Sequence, residues 1–323
     1  MNRAKPRVTT VLLARPTRAL KRHFKGALEG DVAAVHQTRV ASRRLREAVP
    51  ILATGTKGSR AGRARRKLRR LTRTLGTVRE LDVTLALLDE LAARNELPRL
   101  ALEEVRARVV RERDRRRELM VKRLQRLDAD KLYRRLASVG QAVAQSDSME
   151  WRDRLAPRLM GRAKVLADAI STAGRVYAPE QLHGVRIAAK KLRYTMELAG
   201  ESGIKPAAAL VRTLKQAQDI LGRLHDLQVL QSHIRAVQAE ATQHAPTNHA
   251  LDTIALALED ECRHLHASYL SATPALQALA ADTRTVVVPQ LAARRSDRAR
   301  RVKMGLTSRR PFPRRAVGAP RRA

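Results

Sequence analysis

The chain carries the segment VHQTRVASRRLREA at residues 35–48 and a matching segment, LHGVRIAAKKLRYT, at residues 182–195. In each segment a His is followed by basic residues spaced 3, 4 and 3 positions apart. On a helix, at about 100° per residue, these four side chains fall within an arc of about 80°. They form a first stripe of His36, Arg39, Arg43 and Arg46, and a second stripe of His183, Arg186, Lys190 and Arg193. The repeat therefore predicts two helices, each with one nitrogen-bearing face.

Neither stripe contains an acidic residue between its ends. Two like charges about 5 Å apart repel by on the order of 3 kcal/mol at an effective dielectric near 20. The alternative interpretation is a solvated helix face, but such faces usually alternate charge sign, as residues 103–126 do. The stripes therefore favour an anionic ligand that lies along them.

The composition also indicates a polyanionic partner. The formal net charge is +35, from 66 Lys and Arg against 31 Asp and Glu. Nucleic acid, an anionic membrane surface and inorganic polyphosphate are the candidate partners. Only two Phe, four Tyr and one Trp are present, which leaves little for base stacking and favours an anion without bases. A hydrophobic content of 44% with helical periodicity argues against general disorder.

The compartment is predicted from one cysteine and one short apolar run. Cys262 is the single cysteine, which excludes an internal disulfide and is compatible with a reducing compartment. The apolar run at residues 8–14 is cut by Arg15 and Pro16, and it is too short for a secretory signal or a membrane span. We therefore expect a cytoplasmic protein with no membrane span.

The pattern of apolar residues, caps and breakers predicts an all-α fold. Predicted helices cover residues 9–28, 31–53, 59–75, 81–94, 98–127, 128–143, 151–173, 179–200, 206–221, 224–242, 248–271 and 274–293. Asp31 and Ser59 are predicted N-terminal caps, and Gly30 is predicted to close the first helix. The polar segment at 145–148 divides the chain into repeat halves at 8–145 and 149–293. Two similar antiparallel four-helix-type bundles, related by a pseudo-twofold axis, are expected.

Residues 294–323 differ in kind from the rest of the chain. They contain twelve Lys and Arg against one acid, Asp297, and four helix-disfavouring residues, Pro311, Pro313, Gly318 and Pro320. We expect a disordered basic tail that binds polyanions, including nucleic acid, without sequence preference.

A second repeated segment follows each stripe. It reads LGTVRELDV at residues 75–83 and LGRLHDLQV at residues 221–229. Gly76 and Gly222 are predicted to end their helices as left-handed caps, which places Glu80 and Asp226 at the start of the next helices. Capping is one interpretation of these carboxylates; the other is that they orient Arg or His side chains of the stripes.

Further basic residues precede the second repeated segment. Arg66, Arg69 and Arg73 share one helix face, and Arg212 and Lys215 match the first two of them in the second half. We predict that these residues form the facing wall of a basic groove.

The two doubled segments carry a resemblance to a known family. The pattern H-x-x-R-x-x-x-[RK]-[RK]-L-R occurs twice, and each copy is followed by L-G-x-[VL]-x-[ED]-x-x-V. The chain resembles the CHAD domain family over residues 8–293. The resemblance implies two pseudo-symmetric four-helix units around a basic central groove or pore that binds inorganic polyphosphate. It also implies association with polyphosphate granules.

The resemblance further implies which side chains contact the ligand. They are His36, Arg39, Arg43, Arg44, Arg46, His183, Arg186, Lys190, Lys191 and Arg193. Two positions depart from the family pattern, since Glu80 stands where Asp is usual and His225 where another polar residue is usual. The E-x-E-x-K strand of the triphosphate-hydrolysing module found in some relatives is not in the sequence.

The function predicted from the sequence is non-enzymatic binding of inorganic polyphosphate, with no cofactor, metal or catalytic residue. His264 and His266 lie two apart, on different helix faces, and Cys262 has no activating arrangement. Two alternatives stay open. One is a nucleic-acid-binding protein; the other is a polyphosphate-processing enzyme, for which Glu80, Asp82 and Asp226 would have to hold Mg²⁺.

Overall fold

The computed structural model describes residues 8–53, 59–145, 150–201, 203–240 and 245–291. Within these ranges every regular element is helical, which confirms the all-α fold class. The helices are α1 (Val8–Glu29), α2 (Val32–Leu52), α3 (Arg60–Arg94), α4 (Arg99–Gln125), α5 (Ala129–Gln145), α6 (Glu150–Ala173), α7 (Pro179–Glu201), α8 (Lys205–Glu240) and α9 (Ala245–Asp282). A π-helical turn, Thr283–Val287, continues α9 toward residue 291.

The predicted ends of the first helices are confirmed. The Asp31 side chain accepts a hydrogen bond of 2.6 Å from the Ala34 backbone N–H at the start of α2. Ser59 caps α3 in the same way, through Gly62. Gly30 has φ of +77°, and a Cβ at this position would overlap Nε of Arg117. The positive φ therefore favours a glycine after α1, and a Cβ there would also displace the end of the Arg117 side chain.

The predicted breaks at Gly76 and Gly222 are wrong, because both glycines lie inside continuous helices, α3 and α8. Buried side chains recur on one face of α3 through the glycine, from Leu75 and Val78 to Leu81. A glycine inside a helix costs only about 1 kcal/mol relative to alanine. Burial of this uninterrupted apolar face outweighs that cost, since each large apolar side chain contributes about 1.5–3 kcal/mol.

The predicted break before Pro274 is also wrong, because α9 runs through it. Tyr269 before the proline and Leu276 and Leu279 after it are buried in the same hydrophobic cluster. A proline inside a helix costs about 3 kcal/mol. Packing on both sides of Pro274 offsets that cost and keeps one helix where the sequence predicted two.

The core consists of two hydrophobic clusters, and both draw on both repeat halves. The larger cluster joins α1, α2, α5, α6 and α7 with the first parts of α3 and α8 and the last parts of α4 and α9. The smaller cluster joins the later parts of α3 and α8 with the first parts of α4 and α9, around residues such as Leu88 and Ile254. The halves therefore share their cores. The pseudo-twofold symmetry and the domain boundaries at 8–145 and 149–293 stay predictions.

The stripe helices meet where the two halves pack together. α2 packs between α1 and α3, α7 packs between α6 and α8, and contacts join α2 to α7 and α3 to α8. Arg154 of α6 donates to the carbonyl oxygens of Ile51 and Leu52 at 2.7 and 3.0 Å, so one half caps the last turn of α2 in the other. The Oγ of Ser42 lies 2.9 Å from Oγ1 of Thr72, a buried contact between α2 and α3. These contacts position four helices around one space.

Two predicted features lie outside the described residues: the boundary segment at 145–148, except for Gln145 at the end of α5, and the basic tail at 294–323. Among the helices that are described, none combines the length and apolar character needed to cross a bilayer.

Candidate anion-binding site

A cavity of about 540 Å³ lies between α2, α3, α7 and α8. Both stripes reach it, so the prediction that they share one space is consistent with the structure. Its lining residues are Arg39, Arg43, Arg46, Glu47, Arg69, Thr72, Arg73, Gly76, Thr77, Glu80, His183, Arg186, Ile187, Lys190, Lys191, Tyr194 and His225. Eight Arg and Lys side chains thus stand against two Glu in the lining.

Six predicted site residues lie outside this lining. Arg44 is exposed and lines a separate small cavity with Glu197 and Glu201. The two halves differ here, because Lys191, which matches Arg44 in the second half, does line the main cavity. Arg193 donates a hydrogen bond of 2.9 Å to Glu197, an acid one turn further along α7.

The remaining four residues, His36, Arg66, Arg212 and Lys215, do not line this cavity either. His36 is half-buried near Arg79. Arg66 lines a second, larger cavity that adjoins the first. Arg212 and Lys215 are exposed on α8 and line neither cavity, so the second half supplies no wall equivalent to Arg69 and Arg73.

Two partly buried arginines line the cavity from different helices, Arg39 on α2 and Arg186 on α7. Burial, together with the neighbouring Arg43, lowers the pKa of Arg39 to about 10. Burial also lowers the pKa of Arg186, and Asp226 partly opposes the shift. Within the described chain, the buried Nε of each arginine has no hydrogen-bond partner. A buried N–H group without an acceptor is unfavourable by about 1–3 kcal/mol, so the fold holds both arginines in the cavity wall at a cost.

Lys190 follows Arg186 by one turn in the second stripe. Burial and, to a smaller extent, the charges of Arg186, Arg43 and Arg39 lower its pKa to about 7, against a smaller opposing effect of Asp226. Near neutral pH the amine is therefore only partly protonated. A bound anion would favour the charged form and raise the pKa again.

Histidines line the α7–α8 side of the site. The Nδ1 atoms of His183 and His225 lie 3.3 Å apart, and burial lowers the pKa of His225 to about 4. Burial also lowers the pKa values of His36 and His183, with smaller effects from nearby arginines. Burial is the larger cause, and both effects favour the neutral imidazole. His225 was not among the predicted ligand residues, and its only sequence signal was its place in the second repeated segment.

The two matched carboxylates lie inside helices, so the prediction that they cap helix starts is wrong. Glu80 is in α3 and lines the cavity. Asp226 is in α8, where burial raises its pKa while Arg186 and Lys190 lower it. Their place beside stripe residues is in line with the alternative that they orient those side chains. Among the residues described, no group of three or more His, Cys, Asp or Glu could hold a metal ion.

Tyr194 of α7 also lines the cavity, where it contacts an arginine of each stripe. The guanidinium carbons of Arg43 and Arg193 lie 5.2 and 4.9 Å from its ring centroid. Both distances are in the range of cation–π contacts. This tyrosine has no distinct signal in the sequence, because its role depends on an arginine from the other half of the chain.

The comparisons with known proteins place this site in a family. The CHAD domain matches residues 12–235, more than half of the chain. The chain therefore belongs to the CHAD domain family, which is associated with polyphosphate.

Solved structures show the same fold. The crystal structure of the CHAD domain from the plant Ricinus communis is 21% identical, with a TM-score of 0.60; the match covers 83% of this chain and 91% of that one. PptA from Streptomyces chartreusis is 16% identical, with a TM-score of 0.58, and the match covers 82% and 97% of the two chains. No curated protein matches the chain.

Proposed function

We propose that this protein binds inorganic polyphosphate in the cavity lined by both stripes and does not hydrolyse it. The observation that carries the proposal is the pair of partly buried arginines, Arg39 and Arg186, which line one cavity from two different helices and whose Nε atoms have no acceptor in the described chain. The lining is strongly cationic, and the CHAD domain family is associated with polyphosphate. A chain of phosphoryl groups supplies the repeated acceptors that such a lining needs.

Binding is multivalent. The planar fork of each Arg takes two oxygens, whereas Lys190 and Lys191 act as point charges. Counterions released from the polymer make the affinity salt-dependent. The basic tail at 294–323 adds affinity that does not depend on the cavity, and together these contacts would hold the protein on polyphosphate granules.

The aromatic content of the cavity favours polyphosphate over nucleic acid. Tyr194 is the one aromatic residue other than His in the lining, and it already contacts Arg43 and Arg193. Recognition of single-stranded nucleic acid usually depends on open aromatic platforms for the bases. This cavity offers no ring of that kind, while it offers many donors to phosphoryl oxygens.

The placement of the carboxylates favours binding without hydrolysis. Of the three acids that a hydrolase would use to hold Mg²⁺, Glu80 lines the cavity, whereas Asp82 and Asp226 do not. Asp226 interacts with Arg186 and Lys190. We therefore propose that it serves the electrostatics of the second stripe rather than a metal.

Charge reversal at the two partly buried arginines, Arg39 and Arg186, tests the proposal. In the full-length chain, Arg39→Glu with Arg186→Glu is compared with Arg22→Glu and Arg235→Glu, which change the charge equally at exposed positions outside both cavities. Each lost charged hydrogen bond costs about 1.5–3 kcal/mol, so we expect affinity for polyphosphate at low salt to fall by at least about 100-fold. The exposed control changes it far less.

Circular dichroism checks that the charge-reversed protein is folded, and Arg39→Gln with Arg186→Gln serves as a milder second variant. Equal affinities of the site variant and the exposed control would disprove the proposed site. Equal affinity of the unaltered protein for polyphosphate and for single-stranded RNA would favour the nucleic-acid alternative. Release of orthophosphate, lost on Glu80→Gln, would favour the enzyme.

A further inference from the structure

A second cavity, of about 1060 Å³, opens between α3, the C-terminal end of α4 and α5. It shares Arg69, Arg73 and Thr77 with the cavity between the stripes. The two cavities therefore meet along one face of α3. The second cavity is lined by residues of the first half only, and Arg69 and Arg73 stand where the two cavities adjoin.

The lining of the second cavity is more uniformly cationic than that of the first. It consists of nine Arg and Lys side chains with two Thr and one Leu, and it contains no acidic residue. Elsewhere on α4 the arginines alternate with acids, and Arg116, for example, pairs with Glu112 at 2.6 Å. The absence of acids from the lining of this cavity is thus not a general property of the helices that form it.

These cations have few partners within the chain. Arg66, Arg70, Arg123 and Arg126 make no ion pair with any residue in the described part of the protein. Lys67 donates to the carbonyl oxygen of Asp128 at 2.9 Å, and burial lowers its pKa. The charge of Asp128 partly compensates that of Lys67. The four unpaired arginines nevertheless lie close to other cations, and this has an electrostatic cost unless an anion binds.

The repeat provides an internal comparison, because α8 in the second half is equivalent to α3. Buried residues recur in register along both helices, so the equivalent positions are well defined. The six cationic positions that α3 contributes to the second cavity correspond to Ala209, Arg212, Thr213, Lys215, Gln216 and Asp219 in α8. Four of these six α8 residues are not cationic, and one of those four, Asp219, is acidic. The cationic surface is therefore specific to the first half and is not a consequence of the repeated fold.

We propose that the second cavity is an extension of the polyphosphate site, occupied by the part of a long chain that emerges past Arg69 and Arg73. This inference rests on the proposed function, since it assigns the second cavity to the same polymer. Short chains fill only the cavity between the stripes, whereas long chains also engage the first half and bind more tightly. Inorganic polyphosphate fits better than RNA, because no aromatic side chain lines the second cavity.

The test uses the full-length chain with Arg70→Gln, Arg123→Gln and Arg126→Gln, three exposed residues that line only the second cavity. The matched control is Arg22→Gln, Arg111→Gln and Arg235→Gln, which removes the same charge from exposed positions that line neither cavity. Dissociation constants are measured for tripolyphosphate, long-chain polyphosphate and single-stranded RNA at several salt concentrations.

The groove variant is expected to bind long-chain polyphosphate on the order of 10- to 100-fold more weakly near 0.1 M salt. Its log–log salt slope should be smaller by about 2, at about 0.7 for each lost contact. Its affinity for tripolyphosphate should be unchanged, and the control variant should behave as the unaltered protein does with every probe.

The outcomes separate the two proposals. If the groove variant and the control lose the same affinity for long chains, the extension is wrong, while a loss on Arg39→Glu with Arg186→Glu would still support the first site. A groove variant that loses more affinity for RNA than for long-chain polyphosphate would assign the second cavity to nucleic acid and overturn the inference. If the unaltered protein binds neither length of polyphosphate, both proposals fail.

Discussion

The Nδ1 atoms of His183 and His225 lie 3.3 Å apart, with ring centroids separated by 4.6 Å, at the side of the cavity where α7 meets α8. In the first half the equivalent positions are held by His36 and Arg79, and the charge of Arg79 helps to lower the pKa of His36. The His183–His225 pair of the second half thus corresponds to a His36–Arg79 pair in the first half, where one member carries a permanent positive charge. The electrostatics of the cavity are therefore asymmetric although the helices that build it are repeated.

The low pKa of His225 predicts that the free protein loses stability in mild acid. Its folded-state pKa of about 4 lies below the ordinary value of 6.5, so between these values the unfolded chain binds more protons. The free energy of unfolding should therefore fall as the pH decreases from 6.5 to 4. Urea unfolding across this range should show a weaker pH dependence for His225→Gln than for the exposed control His264→Gln. Identical profiles would contradict the prediction.

Lys190 predicts a pH dependence of binding. Its pKa of about 7 in the free protein should rise toward 10.5 when an anion binds, so binding takes up a proton between these values. Affinity for polyphosphate should fall by up to about tenfold per unit as the pH rises above 7. Lys190→Arg keeps the charge without titrating, and it should flatten the profile measured by calorimetry between about pH 7 and 9. A flat profile in the unaltered protein would rule this out.

The ligand should stabilise the fold, because it relieves repulsion among the cavity cations. Polyphosphate at about 100 times its dissociation constant should add about 2.7 kcal/mol to the free energy of unfolding. The log–log salt slope of the affinity should approach about −6 if all eight lining cations are neutralised, at about 0.7 for each charge. Thermal melts at low and high salt check both effects. A melting temperature that polyphosphate does not change at low salt would oppose the proposed function.

Two glycines should respond in opposite ways to alanine. Gly222 lies inside α8, and a methyl group added there would have open space within 4 Å, so Gly222→Ala should stabilise the protein by about 0.5–1 kcal/mol. Gly30→Ala should destabilise it, because Gly30 has φ of +77° and Arg117 occupies the space a Cβ would need. Chemical unfolding of both variants tests the pair, and destabilisation by Gly222→Ala would show that α8 is interrupted there.

Much of the local structure could be predicted from the sequence, because it depends on residues a few positions apart. The caps at Asp31 and Ser59 follow from side chains that reach backbone N–H groups three residues away. The helix breaks at Gly76 and Pro274 were wrongly predicted, because local propensity was weaker than the burial of long apolar faces.

By itself, the sequence determined that the chain is helical, that it contains the same basic segment twice and that the two cationic rows lie on matched helices. A periodicity of 3.6 residues per turn is enough to establish these features. Tertiary packing alone decided which cations share a cavity, that Arg44 is left out while His225 is brought in, and that Lys190 titrates near neutral pH. These properties depend on burial between helices that are distant in the chain, and pattern within one helix carries no information about that burial.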